Sequence, residues 1–501
     1  MSPRLRIAII GAGFSGLGAA VKLHDDNDIV IFEQSDEVGG TWRANTYPGC
    51  ACDIPSNLYS FSFEPNPNWT RAYPQQPEIL AYLKRVTDKY NLRPLIRFNT
   101  EVTEARWDDA TCTWAISSPG QEPERFDVVV NGTGPLSRPA FPALPGIETF
   151  AGTVFHSARW NHDHDLTGKR VAVVGTGASA VQFVPEIAPN VGHLSVFQRT
   201  AAWVVPREDR PFTDKEMRRF KRVPLVQRLL RWKIYARQEL LAIGFLGKGK
   251  GILDKVDKGG RQFIAAQIRD PELRRKVTPT IKPGCKRLLL SNDWYPALTR
   301  PNVDLVTEGI ESVVFNGVRT VDGTVHEADT LIFGTGFAAT GFLAPMRVFG
   351  RDGTEIGEAW RTGARSHLGT TVAGYPNLFL MVGPNTGLGH NSIVFMVEAQ
   401  LNYVCGAVKH LKESWLKGDV RALDLRADVQ AKAYRDVQNK MRKTVWMSGC
   451  KSWYQSADGH IDTLWPGFTW DYWRRTRHFQ ADLFHELRPI GNPQKGVLAS
   501  L

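Results

Sequence analysis

The chain has 501 residues, which is enough for two or three domains. Its 42% hydrophobic and 23% charged residues are ordinary for a globular protein. No apolar run reaches the roughly 18 to 20 residues of a membrane helix. The short apolar stretch after Arg4 and Arg6 is interrupted by glycines and is better explained as a buried strand and turn than as a signal peptide. We therefore expect an unprocessed cytoplasmic protein without an integral membrane segment.

The first predicted element is a buried strand, Arg6–Ile10, which leads into a GxGxxG turn and a helix that continues through Leu23. Such a turn lets the backbone approach a pyrophosphate, and the helix N-terminus supplies N–H donors. A second strand, Asp28–Phe32, ends at Glu33, where a carboxylate can accept hydrogen bonds from a ribose. The unit therefore predicts a site for an unphosphorylated adenosine ribose, as in FAD. The candidate turn residues are Gly11, Gly13, Ser15 and Gly16.

A similar unit begins at the predicted strand Arg170–Val174. Its following strand, His193–Phe197, has no acid at its end but is followed by Arg199 and Thr200. An arginine pairs with a 2′-phosphate that a carboxylate such as Glu33 would repel. The second unit therefore predicts an NADPH site. Its candidate turn residues are Gly175, Gly177, Ser179 and Ala180.

Two later segments, 126–134 and 329–337, are each an apolar strand that ends in Gly-Thr-Gly. They are typical of strands that return the chain to the first and second nucleotide units, which places the second domain inside the first. The predicted fold class is α/β, with two Rossmann-like dinucleotide-binding domains and a helical insertion. We expect an FAD-binding domain at 1–140 and 341–501, an NADP-binding domain at 141–206 and 286–340, and the insertion at 207–285.

The insertion carries much of the positive charge. Residues 207–276 contain twenty Lys or Arg and nine Asp or Glu, a surplus equal to the net charge of +11 of the whole chain. A solvated helical surface, a field that attracts a phosphorylated cofactor, and contact of residues 225–245 with an anionic membrane all remain open. Nucleic-acid binding is not expected, because no nucleic-acid-binding motif accompanies the charge.

The cysteines are scattered along the chain, which favours reduced thiols over a disulfide framework. Their spacing fits neither a CxxC redox site nor a zinc site. They are Cys50, Cys52, Cys112, Cys285, Cys405 and Cys450.

Two long gapped motifs resemble those of the type I Baeyer–Villiger monooxygenases, which are class B flavoprotein monooxygenases. The pattern GGxWxxxxYPGxxxD fits residues 39–53. The fingerprint FxGxxxHxxxW is matched too, although Asn161 follows it where the family usually has proline or aspartate. N- and S-oxidising relatives usually carry tyrosine at the position of Trp160, so Trp160 favours the Baeyer–Villiger branch. The fingerprint residues are Phe150, Gly152, His156 and Trp160.

The resemblance implies that NADPH reduces FAD, that O2 adds to the flavin C4a carbon, and that the resulting peroxide attacks a ketone to give an ester or lactone. It implies that Arg287 faces the flavin peroxide and that Asp53 aligns it. Lys286 would hold the 2′-phosphate beside Arg199 and Thr200, and His156 would connect the domains without a catalytic role. Flavin contacts are expected at Gly40, Thr41 and Trp42.

Two other functions stay open from the sequence. An N- or S-oxidising monooxygenase would use the same scaffold, and a flavoprotein reductase would oxidise NADPH without oxygenating a substrate. The expected partners are a small ketone and O2, and the chain is expected to be a monomer or a weak homo-oligomer. Residues 383–385 are expected near the flavin ring. Five C-terminal tryptophans suit either a ketone pocket or plain packing: Trp446, Trp453, Trp465, Trp470 and Trp473.

Overall fold

A computed structural model describes residues 3–450, 454–455 and 459–490. The strands are β1 (Arg6–Ile10), β2 (Asp28–Phe32), β3 (Ile96–Arg97), β4 (Glu104–Asp108), β5 (Thr113–Ser117), β6 (Glu124–Phe126), β7 (Val128–Asn131), β8 (Thr153–His156), β9 (Arg170–Val174), β10 (His193–Phe197), β11 (Val204–Val205), β12 (Leu289–Leu290), β13 (Val303–Val306), β14 (Ile310–Val314), β15 (Gly317–Thr320), β16 (Val325–Glu327), β17 (Thr330–Phe333), β18 (Arg347–Phe349), β19 (Leu378–Leu380), β20 (Ala422–Leu425) and β21 (Phe484–Leu487).

The α-helices are α1 (Phe14–Leu23), α2 (Thr41–Ala44), α3 (Gln76–Lys89), α4 (Ala178–Ile187), α5 (Asp214–Arg222), α6 (Pro224–Phe245), α7 (Lys250–Gln267), α8 (Pro271–Val277), α9 (Trp294–Leu298), α10 (Ile356–Ala359), α11 (Ile393–Gly418), α12 (Ala427–Met441) and α13 (Thr469–Thr476). Short 3-10 helices occur at Arg93–Leu95, Ile147–Thr149, Ser157–Arg159, Arg351–Gly353, Val445–Met447 and Ala481–Leu483.

The first parallel sheet has the strand order β19-β7-β1-β2-β3. The apolar runs of β1 and β7 are buried on both faces, as strands at the centre of a covered parallel sheet must be. The predicted strands β1 and β2 and the end of helix α1 have the bounds read from the sequence. The return strand predicted within 126–134 is β7, which pairs with β1. Strand β19 then joins the same sheet from far along the chain.

The second parallel sheet has the order β13-β10-β9-β17-β8. Strands β9 and β10 have their predicted bounds, and the return strand predicted within 329–337 is β17, which pairs with β9. Helices α5 to α8 occupy most of the segment between β11 and β12. The chain is thus α/β, with two parallel nucleotide-type sheets and a helical region, as the sequence predicts.

Four smaller sheets complete the fold. They are β18-β4-β5-β6, the antiparallel β14-β15-β16, the parallel pair β11-β12 and the antiparallel pair β20-β21. One cluster of buried apolar side chains runs from the first sheet, at Ile7 and Ile9, to the second, at Val171 and Val173. The two sheets therefore share a continuous core. None of the helices in the described ranges is long and apolar enough to cross a membrane.

The expectation that every cysteine is a free thiol is wrong for one pair. Cys285 and Cys450 form a disulfide, with their Cα atoms 6.2 Å apart although 165 residues separate them in the sequence. Spacing along the chain carries no information about such a distant pairing, which joins the segment after α12 to the residues that precede β12. The cysteines that remain free are Cys50, Cys52, Cys112 and Cys405.

Candidate active site

The first glycine turn fits closely against the residues that follow the return strand β7. Gly11 has a φ of +96°, and a Cβ there would lie 2.8 Å from the carbonyl oxygen of Gly132. A Cβ on Gly16 would lie 1.8 Å from the carbonyl oxygen of Gly11, so α1 can approach the turn only because residue 16 is glycine. Ser15 is buried beside it. No side chain caps α1 at Gly13, which leaves its N-terminal N–H groups available to a phosphate.

Glu33 lies buried at the end of the first nucleotide unit. Its Oε2 accepts a hydrogen bond of 2.8 Å from the N–H of Ala12, and its Oε1 accepts one of 2.9 Å from the N–H of Ser35. These bonds fix both carboxylate oxygens while leaving lone pairs for further donors. The arrangement fits a ribose whose hydroxyls donate to the carboxylate.

The second motif, residues 39–53, lies against the first turn. Gly40 has a φ of +52°, and a Cβ there would lie 3.1 Å from the Cα of Gly13. Gly40 precedes the short helix α2, which begins at Thr41. Trp42 is buried and donates from Nε1 to the Tyr59 hydroxyl at 3.0 Å. Two backbones without side chains are thus in contact at Gly13 and Gly40, which fits a pyrophosphate lying across them.

The second glycine turn has the same backbone geometry as the first. Gly175 has a φ of +109°, and a Cβ there would lie 2.6 Å from the carbonyl oxygen of Gly334. Gly177 precedes α4, which has no side-chain cap. Ala180 is fully buried. Ser179, in the first turn of α4, is half-buried.

Of the three residues expected at the 2′-phosphate, Arg199 and Lys286 lie near enough to influence each other. Arg199 is exposed just beyond β10. Burial lowers the pKa of Lys286, and the nearby charge of Arg199 lowers it further. Neither cation forms an ion pair with a described residue, so the two are suited to a shared anion. Thr200 is half-buried and makes no side-chain hydrogen bond with the described residues.

Arg287 and Asp53 form the bidentate pair that the resemblance implies. Arg287 donates from Nε to Oδ2 of Asp53 and from Nη2 to Oδ1, both at 2.7 Å. Its third nitrogen, Nη1, donates to the carbonyl oxygen of Leu388 at 3.3 Å. The two side chains are only 29% and 26% exposed. The guanidinium is therefore fixed in direction by three hydrogen bonds, as a preorganised cation must be.

The charges of this pair stabilise each other. Burial acts to raise the pKa of Asp53, but the charge and hydrogen bonds of Arg287 outweigh burial and lower it. The charge of Asp53 raises the pKa of Arg287, against the opposing effect of burial. Both groups are consequently ionised at neutral pH, and the site presents a permanent cation.

The sequence did not reveal two groups that position this region. Gln182, on α4, accepts from the Tyr47 hydroxyl at 3.0 Å and exchanges hydrogen bonds with the backbone of Ala51. It thereby ties the loop that carries Asp53 to the second nucleotide unit. The Leu388 carbonyl on Arg287 is the other group. A glutamine within a helix and a backbone carbonyl carry no motif, so neither could be recognised from the sequence.

The fingerprint segment lies in the second sheet. His156 is buried at the end of β8, and its Nδ1 accepts from the N–H of Ala158 at 3.0 Å. Burial lowers the pKa of His156 to about 4, so its ring is neutral. Trp160 packs edge-on against Phe155 and in a tilted contact against Phe183. These contacts lie within the second nucleotide unit, and the connecting role of His156 stays a prediction.

The C-terminal aromatic residues divide into two kinds. Trp446 is buried and stacks on Phe245, and Trp465 is buried against Tyr472. Trp470 and Trp473 are exposed. Trp453 lies outside the described residues. Asn385, in the segment expected near the flavin, is buried and donates to the carbonyls of Ile461 and Leu464.

Two glycine-turn units in one chain, with a fixed arginine–aspartate pair beside them, define an oxidoreductase that brings two dinucleotides together. Comparison with known proteins identifies its family. The flavin-binding monooxygenase-like family model matches residues 4–235. A Baeyer–Villiger monooxygenase of Pseudomonas aeruginosa is 48% identical over 96% of this chain and 91% of its own length. One of Streptomyces coelicolor is 46% identical over 97% of this chain and 93% of its own length.

The solved structures agree. The crystal structure of cyclohexanone monooxygenase from Rhodococcus sp. Phi1 bound to NADP+ is 31% identical, with a TM-score of 0.84, and the match covers 95% of this chain and 97% of that one. The chain belongs to the flavin-binding monooxygenase-like family and, within it, to the Baeyer–Villiger monooxygenases. The predicted enzyme class and its cofactors, FAD and NADPH, are confirmed.

Proposed function

We propose that this Baeyer–Villiger monooxygenase uses Arg287, aligned by Asp53, to insert one oxygen atom of O2 beside the carbonyl of a small ketone. The observation that carries the proposal is the bidentate pair with both contacts at 2.7 Å. Negative charge develops on oxygen atoms during this insertion. A guanidinium whose direction is fixed in advance stabilises that charge without reorganising.

The proposed cofactor sites follow from the two turns. The first turn, the buried Glu33 carboxylate and the Gly40 backbone supply the close approach and acceptors that FAD requires. The second turn supplies the close approach that NADPH requires, and the exposed Arg199 and half-buried Lys286 supply cationic donors. FAD is proposed to contact Gly11, Gly13, Ser15, Gly16, Glu33, Gly40, Thr41, Trp42 and Asp53. NADPH is proposed to contact Gly175, Gly177, Ser179, Ala180, Arg199, Thr200 and Lys286.

Each residue has a distinct task in the proposed mechanism. The bound flavin, reduced by NADPH, supplies the activated oxygen atom. Arg287 directs its positive charge toward the reacting oxygens, and Asp53 prevents the guanidinium from rotating away. The Leu388 carbonyl fixes the third nitrogen. The low pKa of Asp53 keeps the pair ionised across the neutral range, so the cation needs no proton transfer to act.

The proposal also includes the domain bounds, the cellular location and the oligomeric state. The FAD-binding domain comprises 1–140 and 341–501, the NADP-binding domain 141–206 and 286–340, and the helical insertion 207–285. The protein is cytoplasmic and a monomer or a weak homo-oligomer. The lack of a membrane-crossing helix in the described ranges is compatible with that location.

Product analysis tests the function. Purified protein is incubated with NADPH and a panel of linear, cyclic, aromatic and steroid ketones, with an amine and a sulfide beside them. Ester or lactone formation coupled to NADPH consumption is expected. Oxidation of only the amine or sulfide, or stoichiometric hydrogen peroxide with every substrate, would replace the proposal with one of the two other functions.

A further inference from the structure

Helix α6 (Pro224–Phe245) is turned so that three of its polar side chains, Gln227, Arg231 and Glu239, face the protein. Gln227 is buried and donates to Asn57 and to the carbonyl of Asn66, at 2.8 and 2.7 Å. One helical turn further, Arg231 donates to backbone carbonyls, including that of Ser60 at 3.0 Å. Two turns beyond that, the buried Glu239 accepts from Asn391 and Thr469. These polar contacts fix the rotation of the helix.

The opposite side of α6 carries its large apolar residues into solvent. Leu225, Leu229, Trp232 and Leu240 are 61, 61, 63 and 62% exposed. Their spacing of four, three and eight residues places them on one stripe of an α-helix. We call this stripe the outer face of α6. A surface helix normally shows the reverse pattern, and α12 does so: it exposes polar residues such as Lys432 and Asp436.

Basic side chains flank the outer face. Arg228 and Lys233 are exposed on either side of the stripe, and neither forms an ion pair with any residue that the structure describes. Arg222, at the end of the preceding helix α5, is likewise exposed and unpaired within the described ranges. The one carboxylate in α6, Glu239, points inward. The exposed surface of the helix is therefore apolar along its centre and cationic along its borders.

We propose that the outer face of α6 binds an anionic membrane surface, with the leucines and Trp232 at the level of the headgroups and the flanking cations on lipid phosphates. An interfacial helix combines these features, a stripe of Leu and Trp with Lys and Arg beside it. A second copy of the chain fits less well, because residues 207–276 carry twenty basic and nine acidic residues, and two such segments would repel. The helix lies on the surface, since none in the described ranges is apolar enough to cross.

Co-sedimentation with vesicles tests the proposal on the intact, flavin-loaded protein. Vesicles that mix phosphatidylglycerol with phosphatidylcholine are compared with vesicles of phosphatidylcholine alone, at low and high salt. Binding to the anionic vesicles is expected, with little binding to the neutral ones and weaker binding at high salt. Absence of binding to anionic vesicles at low salt would overturn the proposal.

Two double variants separate the contributions of charge and apolar contact. Arg228→Glu with Lys233→Glu should weaken binding roughly tenfold or more, because each basic residue near an anionic surface contributes to attraction. Leu225→Ser with Leu229→Ser should weaken it roughly tenfold without changing charge. All four side chains are exposed, so both variants should fold and keep their flavin. Phe315→Ser is the control, since Phe315 is 70% exposed on another part of the surface.

The variants also distinguish the other interpretations. Anionic binding that persists in both α6 variants would mean that other basic residues bind the lipid, and the proposal would fail. If Leu225→Ser with Leu229→Ser instead abolished self-association in a lipid-free sedimentation experiment while vesicle binding was unaffected, the face would be a contact between copies of the chain. Loss of vesicle binding in both variants but not in Phe315→Ser is the supporting result.

Discussion

The two nucleotide units have the same strand–turn–helix backbone but differ in how closely the helix packs against the glycine turn. In each, the first glycine has a positive φ and lies against the glycine that follows the return strand, Gly132 or Gly334. At the third position the first unit has Gly16, where any Cβ would strike the turn, and the second has Ala180, whose Cβ is accommodated. Helix α4 must therefore stand further from its turn than α1 does.

The residues that follow the second strand of each unit, β2 and β10, differ in burial as well. Glu33 is buried and held by two backbone N–H groups, whereas Arg199 is exposed and lies near another cation, Lys286. A closed turn with an immobilised carboxylate suits a cofactor that stays bound. A turn that admits alanine at its third position, with the exposed Arg199 at the end of the next strand, suits one that enters and leaves. The same local motif is thus proposed to hold a prosthetic group in the first unit and a substrate-like cofactor in the second.

Replacing Gly16 by alanine should have the largest effect on the first unit. The new Cβ would lie 1.8 Å from the Gly11 carbonyl oxygen, so α1 would have to move. We expect little bound flavin and a loss of about 3 kcal/mol of stability, measured by absorbance and thermal unfolding. Gly177→Ala in the second unit is the control, since its Cβ would be no nearer than 3.8 Å to the Gly334 oxygen. A yellow Gly16→Ala protein of normal stability would contradict the comparison.

Removing Arg287 should leave both units intact and abolish the chemistry between them. Loss of one preorganised donor costs about 3 to 4 kcal/mol, or roughly a hundred- to thousandfold in rate. Arg287→Ala should therefore bind FAD, consume NADPH slowly and release hydrogen peroxide in place of ester. The measurement is ester yield per NADPH, with flavin content checked. Near wild-type yield would remove Arg287 from the mechanism.

Asp53→Ala should produce a weaker form of that defect, because the guanidinium remains but loses two of its three hydrogen bonds. The double variant should be little worse than Arg287→Ala alone, since the two residues act as a unit. The ester yields of the two single variants and the double variant form the cycle. Additive losses would mean that Asp53 acts independently of Arg287, for example through the flavin site.

Arg199→Ala should have the smallest effect, confined to the second unit. The loss of a charge-assisted contact to the 2′-phosphate should raise the KM for NADPH about tenfold, while the KM for NADH stays nearly unchanged. Steady-state NAD(P)H oxidation measures both, and Lys286→Ala should show the same preference. Equal losses for NADPH and NADH would show that the second unit does not distinguish them through Arg199.

The sequence by itself determined the two nucleotide units. Strands β1, β2, β9 and β10, the glycine turns and the position of Glu33 could be predicted, because a buried parallel strand and a turn without side chains are local patterns governed by sterics. The pairing of Arg287 with Asp53 followed from the family resemblance, and its geometry agrees. How these groups act on bound cofactors stays a prediction.

The tertiary structure alone decided the features that join distant segments. The disulfide between Cys285 and Cys450, the Leu388 carbonyl on Arg287 and the Gln182 contact with Ala51 each link segments at least about a hundred residues apart. Apolar and polar residues occur on all sides of α6, so the sequence did not reveal which side faces the protein. Buried partners for Gln227 and Arg231 decided that, because a polar group can leave water only where hydrogen bonds replace it.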